Sequence, residues 1–274
     1  MKVVLFCGGY GMRMRSSADD VLTKPMHLVG PRPIMWHVMR YYAHYGHKEF
    51  ILCLGYGATQ IKDHFLHYDE TASNDFVLQG GDVELLSHDI ADWKITFVDT
   101  GLDSPIGERL RRVREHLGDD EMFLANYADV LTDAPLDRMI EEFAASDNAA
   151  SLMAVPPQSS FHVVRFDDGH QVSEVDQVGR MAIWENGGYF VLRPEVFDYL
   201  PENGDLVEDV CVKLAGEGRL MAYPYSGFWK PADTFKERAQ LDAEWERGDA
   251  PWAVWRDGSP QVAHAGGPVT PITP

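Results

Sequence analysis

Cysteine is scarce: Cys7, Cys53 and Cys211 are the only three in 274 residues. They lie far apart and never form a CxxC pair, so neither a disulfide framework nor a thiolate zinc site is expected, and a reducing cytoplasmic setting fits. Basic residues are few as well. With 24 Lys and Arg against 43 Asp and Glu, the formal charge is −19. Such a surface repels nucleic acid and anionic membranes at long range, and neither is expected as a partner. Long apolar runs are also missing. No stretch approaches the roughly 20 apolar residues that cross a bilayer. The opening MKVVLFCGG ends its apolar run in glycines without the cleavage site of a secretory signal, and reads as a strand. No internal repeat is present.

What is there alternates. Residues 3–7 form an unbroken β-preferring run closed by Gly8-Gly9, the pattern of a strand buried on both faces of a parallel sheet. Pro33 opens a helical pattern over 34–45 that Gly46 stops. Strand patterns at 50–54, 95–98 and 122–126 alternate with helical ones at 59–67, 107–117 and 136–145. This β, α, β succession predicts a Rossmann-like, doubly wound α/β sheet with helices on both faces. From residue 150 the pattern changes to short strands at 152–155, 163–166, 181–184 and 189–192, which read as antiparallel or mixed. Helices over 194–200 and 206–217, a strand at 220–223 and a long helix over 234–247 follow. One domain over 1–256 is expected, its nucleotide-binding half covering about 1–148 and a smaller, β-rich sugar-binding half about 149–256. Residues 257–274 hold little that could pack and read as a disordered tail. The polar, acidic stretch 68–92 is long for a connection, and is read as a lid, a partner surface, a small hairpin or a solvated excursion.

Two segments carry the chemistry. GGYGMRM directly follows the first strand, so the backbone amides of Gly8, Gly9 and Gly11 can line the carboxyl edge of the sheet, where open α/β folds bind ligands. The spacing is not the GxGxxG of a dinucleotide site and no GK[ST] follows, and a tight turn alone would also explain the glycines. Arg13 adds direction, because a guanidinium inside a glycine loop is suited to bidentate hydrogen bonds with a polyphosphate. Lys24 lies in LTKPMHLVGPRPI, where Pro25 stiffens an extended loop near the same edge. On this segment alone, an ordinary solvated lysine is the leading reading.

GGYGMR, TKPM and GPRPIMWH resemble the opening motifs of the sugar-nucleotide pyrophosphorylase superfamily. FVDTGLDSPIGERLRRV, LANYADV, ENGGYFVL, GFWKPADT and WERGDAPW resemble later motifs of its glucose-1-phosphate cytidylyltransferase branch, where VDTG, YGDG, INGGFFV and GFWxPMDT stand. The likeness runs to about Trp255. It implies a nucleotidyltransferase that joins a sugar 1-phosphate to a nucleoside triphosphate, CTP being favoured, and releases pyrophosphate. Asp129 and Asp233 match the positions that hold the metal, and a carboxylate pair suits Mg²⁺ that takes its other ligands from phosphate and water. Arg13 and Lys24 would stabilise the triphosphate charge while the sugar phosphate oxygen attacks in line. Arg109 and Tyr127 match the nucleotide side; Glu174, Asn186 and Gly187 match the sugar pocket. A homo-oligomer accords with the family.

The likeness has departures. Met12 stands for the family's threonine, Ala128 for its glycine, and SEVDQVGR carries Val175 and Asp176 where the family has lysine and proline after the glutamate. A lysine that would pair with the sugar phosphate is therefore missing, and Lys230 is the preferred substitute, ahead of Arg180. These changes admit a modified acceptor, or a non-catalytic nucleotide- or sugar-nucleotide-binding regulator. The histidine pairs His44/His47 and His64/His67 lack a third ligand nearby, and a solvated helix face explains both.

Overall fold

The computed structural model describes residues 1–9, 22–159 and 161–256. Strand β1 (Lys2–Phe6) carries Val3, Val4 and Leu5, all fully buried, as expected for a strand in the middle of a sheet covered on both faces. A short antiparallel pair, β2 (Leu28–Val29) and β3 (Arg32–Pro33), leads into α1 (Ile34–His44), whose start follows Pro33. The helix is buried on nearly every side: only Arg40 and His44 of its residues escape the core. Next come β4 (Glu49–Leu54), α2 (Ala58–Leu66), a hairpin of β5 (Phe76–Gln79) and β6 (Asp82–Leu85), and β7 (Lys94–Asp99). The long acidic stretch thus contains a small hairpin.

Helices α3 (Ile106–Arg112) and α4 (Arg114–Leu117) are separated at Val113, so the expected basic helix is broken once. Then follow β8 (Phe123–Asn126), β9 (Val130–Thr132), α5 (Leu136–Ala144), β10 (Ala150–Val155), β11 (His162–Phe166), β12 (Val172–Gln177) and β13 (Glu185–Leu192). Helix α6 (Val196–Tyr199), a wide turn at Leu206–Cys211 running into α7 (Val212–Gly216), β14 (Leu220–Pro224), β15 (Trp229–Pro231) and α8 (Phe235–Glu246) complete the described chain.

Seven strands form the central sheet in the order β14-β10-β13-β8-β1-β4-β7. Strands β8, β1, β4 and β7 run parallel, β13 is antiparallel to both β8 and β10, and β14 is parallel to β10. The result is the mixed α/β sheet expected. A core lies on each face, one built around α1, α5 and Trp252, the other around α3, α7 and Phe197. The expected strand at 181–184 does not form. The β10 partner runs out where Val155 meets Glu185, so the apolar run before Glu185 has nothing to pair with and Ile183 and Trp184 stay exposed. Strand β12 is the converse case, a polar segment made a strand by its pairing with β11. No helix among the described residues is long and apolar enough to cross a membrane.

Candidate active site

The carboxyl ends of β1, β4 and β7 are tied together by one buried guanidinium. Arg109, near the start of α3, donates from Nη1 to the Leu54 carbonyl at 3.2 Å and to Thr100 Oγ1 at 2.9 Å. From Nη2 it donates to the Gly8 carbonyl at 3.3 Å and to the Leu102 carbonyl at 3.0 Å. Those four bonds spend most of its five N–H donors on the protein itself. They also explain a glycine: a Cβ on Gly8 would lie 2.1 Å from Arg109 Nη1, so no side chain is tolerated there while the clamp is in place. Arg109 therefore holds the walls that a nucleotide would meet, rather than offering a free fork to it. Gly8 and Gly9 line the cleft. Gly11 and Arg13 lie outside the described residues.

Lys24 begins a short turn, Lys24–Met26, with buried Pro25 at its second position. Its ammonium reaches Asp129 Oδ2 at 2.5 Å and also bonds Asp233 Oδ1. The two carboxylates meet because two very short strands pair: Pro231 of β15 faces Val130 of β9, and the Ala232 amide donates to the Asp129 carbonyl at 2.9 Å. Residues a hundred apart in the chain thus stand side by side. Asp233 is fixed in turn by α8, where Glu237 Oε2 accepts the Asp233 amide at 2.9 Å and the Thr234 amide at 2.8 Å in a reciprocal capping box.

Helix α8 also steadies the loop that carries Lys24. Asp242 accepts the Gly30 amide at 2.7 Å. Behind it, buried His37 of α1 pairs Nε2 with the Val29 carbonyl at 2.9 Å and accepts the Trp252 indole N–H on Nδ1 at 3.3 Å. Trp36, Trp245 and Trp255 pack against the same ring. Burial pushes this imidazole down to about 4, so it is neutral at pH 7.

Electrostatics within the cluster follow from burial and pairing. Burial opposes charge on Lys24, but Asp129 and Asp233 outweigh it and raise the ammonium pKa above its ordinary value. The Asp129 carboxyl is pushed up by burial and by Asp233 against the pull of Lys24. A cation between the two acids is what this arrangement stabilises.

The cleft has a volume of about 1050 Å³ and opens at the carboxyl edge where the strand order turns back between β1 and β8. Lys24, Arg109, Tyr127, Asp129, Asn186, Gly187 and Asp233 all line it. Tyr127 lies across from β13: its amide donates to the Gly188 carbonyl at 3.2 Å, Asn186 Nδ2 approaches its hydroxyl at 3.4 Å, and burial raises the phenol to about 12. Gly187 leaves room for Trp229, whose indole donates to the Gly187 carbonyl at 2.8 Å; a Cβ there would stand 2.9 Å from Met153 Cε.

Two expected sugar-side residues are elsewhere. Glu174 sits on β12, on a two-stranded hairpin exposed on both faces, and pairs with Arg165 at 2.8 Å. Lys230 points away from the cleft to Glu244 of α8 at 2.7 Å, because strand alternation on β15 sends Trp229 and Pro231 to the cleft and the residue between them to the opposite side. Trp229, Glu185 and Asp205 line the cleft without having been singled out from the sequence. The tryptophan in GFWKP was readable as an aromatic beside a candidate metal ligand; the acids had no such signal.

No family model matches the chain. A glucose-1-phosphate cytidylyltransferase of Salmonella typhi is 36% identical over 257 residues, covering 93% of this chain and 100% of the relative. A Bacillus subtilis (strain 168) protein described as a probable glucose-1-phosphate cytidylyltransferase is 38% identical over 259 residues, with the same shares covered. The chain belongs to the glucose-1-phosphate cytidylyltransferase family. Its fold also matches that of HddC from Yersinia pseudotuberculosis complexed with GMP-PN, with a TM-score of 0.63 at 18% identity, over 89% of this chain and 99% of the other.

For a cytidylyltransferase-family chain the carboxylate pair has the right chemistry for a divalent ion. Asp129 and Asp233 are hard oxygen donors already drawn together around one positive charge. No cluster of three or more His, Cys, Asp or Glu that could hold a metal occurs among the described residues. Two protein carboxylates, with phosphate and water completing the shell, is the ligand set a magnesium-type ion accepts, whereas a structural zinc site needs four protein ligands.

Proposed function

We propose that this protein is a Mg²⁺-dependent sugar-1-phosphate nucleotidyltransferase, with CTP as its nucleotide, forming a CDP-sugar and pyrophosphate. The observation that carries the reading is the convergence of Lys24, Asp129 and Asp233 in one cleft, at the sheet edge where Gly8 and Gly9 present their backbone. CTP, rather than another nucleotide, is supported by the names of the relatives at 36–38% identity.

The reaction needs one displacement. A phosphate oxygen of the sugar 1-phosphate attacks the α-phosphorus; a P–O bond forms there as the bond to the β-phosphate bridging oxygen breaks and pyrophosphate leaves. The attacking phosphate is already ionised near neutral pH, so no general base is required. Lys24 stabilises the charge that builds on the triphosphate. Asp129 and Asp233 would hold Mg²⁺, which when bound neutralises phosphate charge and orients the two oxygens in line. Arg109 acts indirectly by keeping the Gly8 and Leu102 loops in place. Tyr127 and the glycine loop receive the nucleotide; Asn186 and Gly187 receive the sugar. The retained cation and carboxylate cluster favours catalysis over the non-catalytic regulator.

Apolar residues left exposed on the two hairpins, Phe76 and the cross-strand pair Leu78 with Val83 on one, Val164 with Val175 on the other, support the homo-oligomer.

Pyrophosphate release, measured with each of the four nucleotides and a panel of sugar 1-phosphates with and without Mg²⁺, tests the reading. CTP should be used best and chelation should abolish turnover. Binding of nucleotide without release from any pairing would replace this proposal with the regulator.

A further inference from the structure

The acceptor end of the cleft carries a different charge from the family motifs that resemble it. The motif carboxylate, Glu174, is outside and bonded to Arg165. The next position, lysine in the family motif, is the exposed Val175. Inside the cleft, β13 opens with Glu185 where INGGFFV has isoleucine. The motif lysine is thus missing from the hairpin, and a carboxylate stands in the cleft where the motif has an apolar residue.

Glu185 also differs from the other acids of the cleft in being uncommitted. Asp129 and Asp233 hold Lys24, Glu237 accepts the amides at the start of α8, and Asp205 accepts the Val207 and Glu208 amides. Asp103 is partnered too. Among the described residues no side chain pairs with the Glu185 carboxylate. It stands exposed to the cleft, directly before Asn186 and two residues before the carbonyl that anchors Trp229. A free carboxylate in the same cleft as an anionic phosphate is unfavourable, unless the acceptor itself brings a positive charge to it.

We propose that Glu185 is the specificity-determining residue of the acceptor site and that it selects an amino-sugar 1-phosphate over a neutral hexose 1-phosphate. The inference rests on the nucleotidyl transfer proposed above and names its acceptor class. An ammonium on the sugar ring donates charge-assisted hydrogen bonds to the carboxylate, roughly twice as strong as the neutral bonds a hydroxyl would make. The zwitterionic acceptor thereby presents its phosphate to Lys24 and its ammonium to Glu185.

The test compares kcat/KM for glucose 1-phosphate, its 2-, 3-, 4- and 6-amino-deoxy analogues, and the N-acetylated forms of these, in the wild type and in Glu185→Ile and Glu185→Asp. At least one amino sugar should exceed both glucose 1-phosphate and its own N-acetyl form by about tenfold or more. Glu185→Ile should cancel that ratio and Glu185→Asp should keep part of it. Glucose 1-phosphate used as well as every amino sugar by the wild type, or a ratio unmoved in Glu185→Ile, overturns the inference and leaves the transfer reaction standing. Absence of pyrophosphate from every acceptor with all four nucleotides overturns the transfer reaction, and this inference with it.

Discussion

The two sides of the cleft are built differently. On the side proposed to take the nucleotide, β1, β4 and β8 are buried on both faces, and the ends of β1, β4 and β7 are locked by Arg109. On the side proposed to take the acceptor, β11 and β12 form a hairpin exposed on both faces, and Glu174 answers to Arg165 rather than to the cleft. Burial over-determines the first region. The second is held by few contacts, and a residue there can keep its motif position while leaving the site.

That contrast is most strongly tested at Lys24. Lys24→Ala should cut turnover by about 1000-fold while circular dichroism reports an intact fold. Activity within tenfold of the wild type would break the claim that the rigid side carries the chemistry. Arg109→Met comes next. It leaves the Leu54, Gly8 and Leu102 carbonyls without their charged donor, and should lower unfolding stability by about 3 kcal/mol in urea titration, with kcat falling alongside. A loss of nucleotide affinity with unchanged stability would instead make Arg109 a direct ligand.

A smaller effect is expected from His37, which anchors the loop bearing Lys24. Its folded pKa of about 4 lies below the unfolded value near 6.5, so the unfolded chain takes the proton first as pH falls. Stability is therefore full above pH 6.5 and declines as pH drops toward 4. Between pH 7 and 4.5 the wild type should lose about 2 kcal/mol more than His37→Gln, by urea unfolding at each pH. Nearby Arg256 adds to the penalty of charging the ring. Equal losses in both proteins would place the acid sensitivity elsewhere.

The smallest effects belong to the β11–β12 hairpin and to β15. Lys230→Met and Glu174→Gln should each change the acceptor KM by less than about twofold, since their side chains are spent on Glu244 and Arg165. A large rise in KM for either would mean that the hairpin or β15 rearranges onto the substrate, and would erase the difference between the two sides.

Much of the Lys24 side of the cleft was readable in advance. The apolar run of β1 ending in glycine, Pro33 opening α1 and the motif order around Lys24, Asp129 and Asp233 each left a local mark in the sequence. The opposite side left weaker marks. Met181 to Trp184 looks like a strand but outruns its partner, Glu174 keeps its place in the motif but not in the cleft, and Glu185 shows no periodicity or spacing that would single it out.

By itself the sequence determined the alternation of strand and helix, and with it the parallel half of the sheet, because hydrophobic period and turn residues act over a few positions. The meeting of Asp129 with Asp233, the turning of Lys230 away from the cleft and the spending of Arg109 on backbone carbonyls were decided only in the tertiary structure. Each depends on which strands pair and which side of a strand faces inward, and those are settled by contacts between residues distant in the chain.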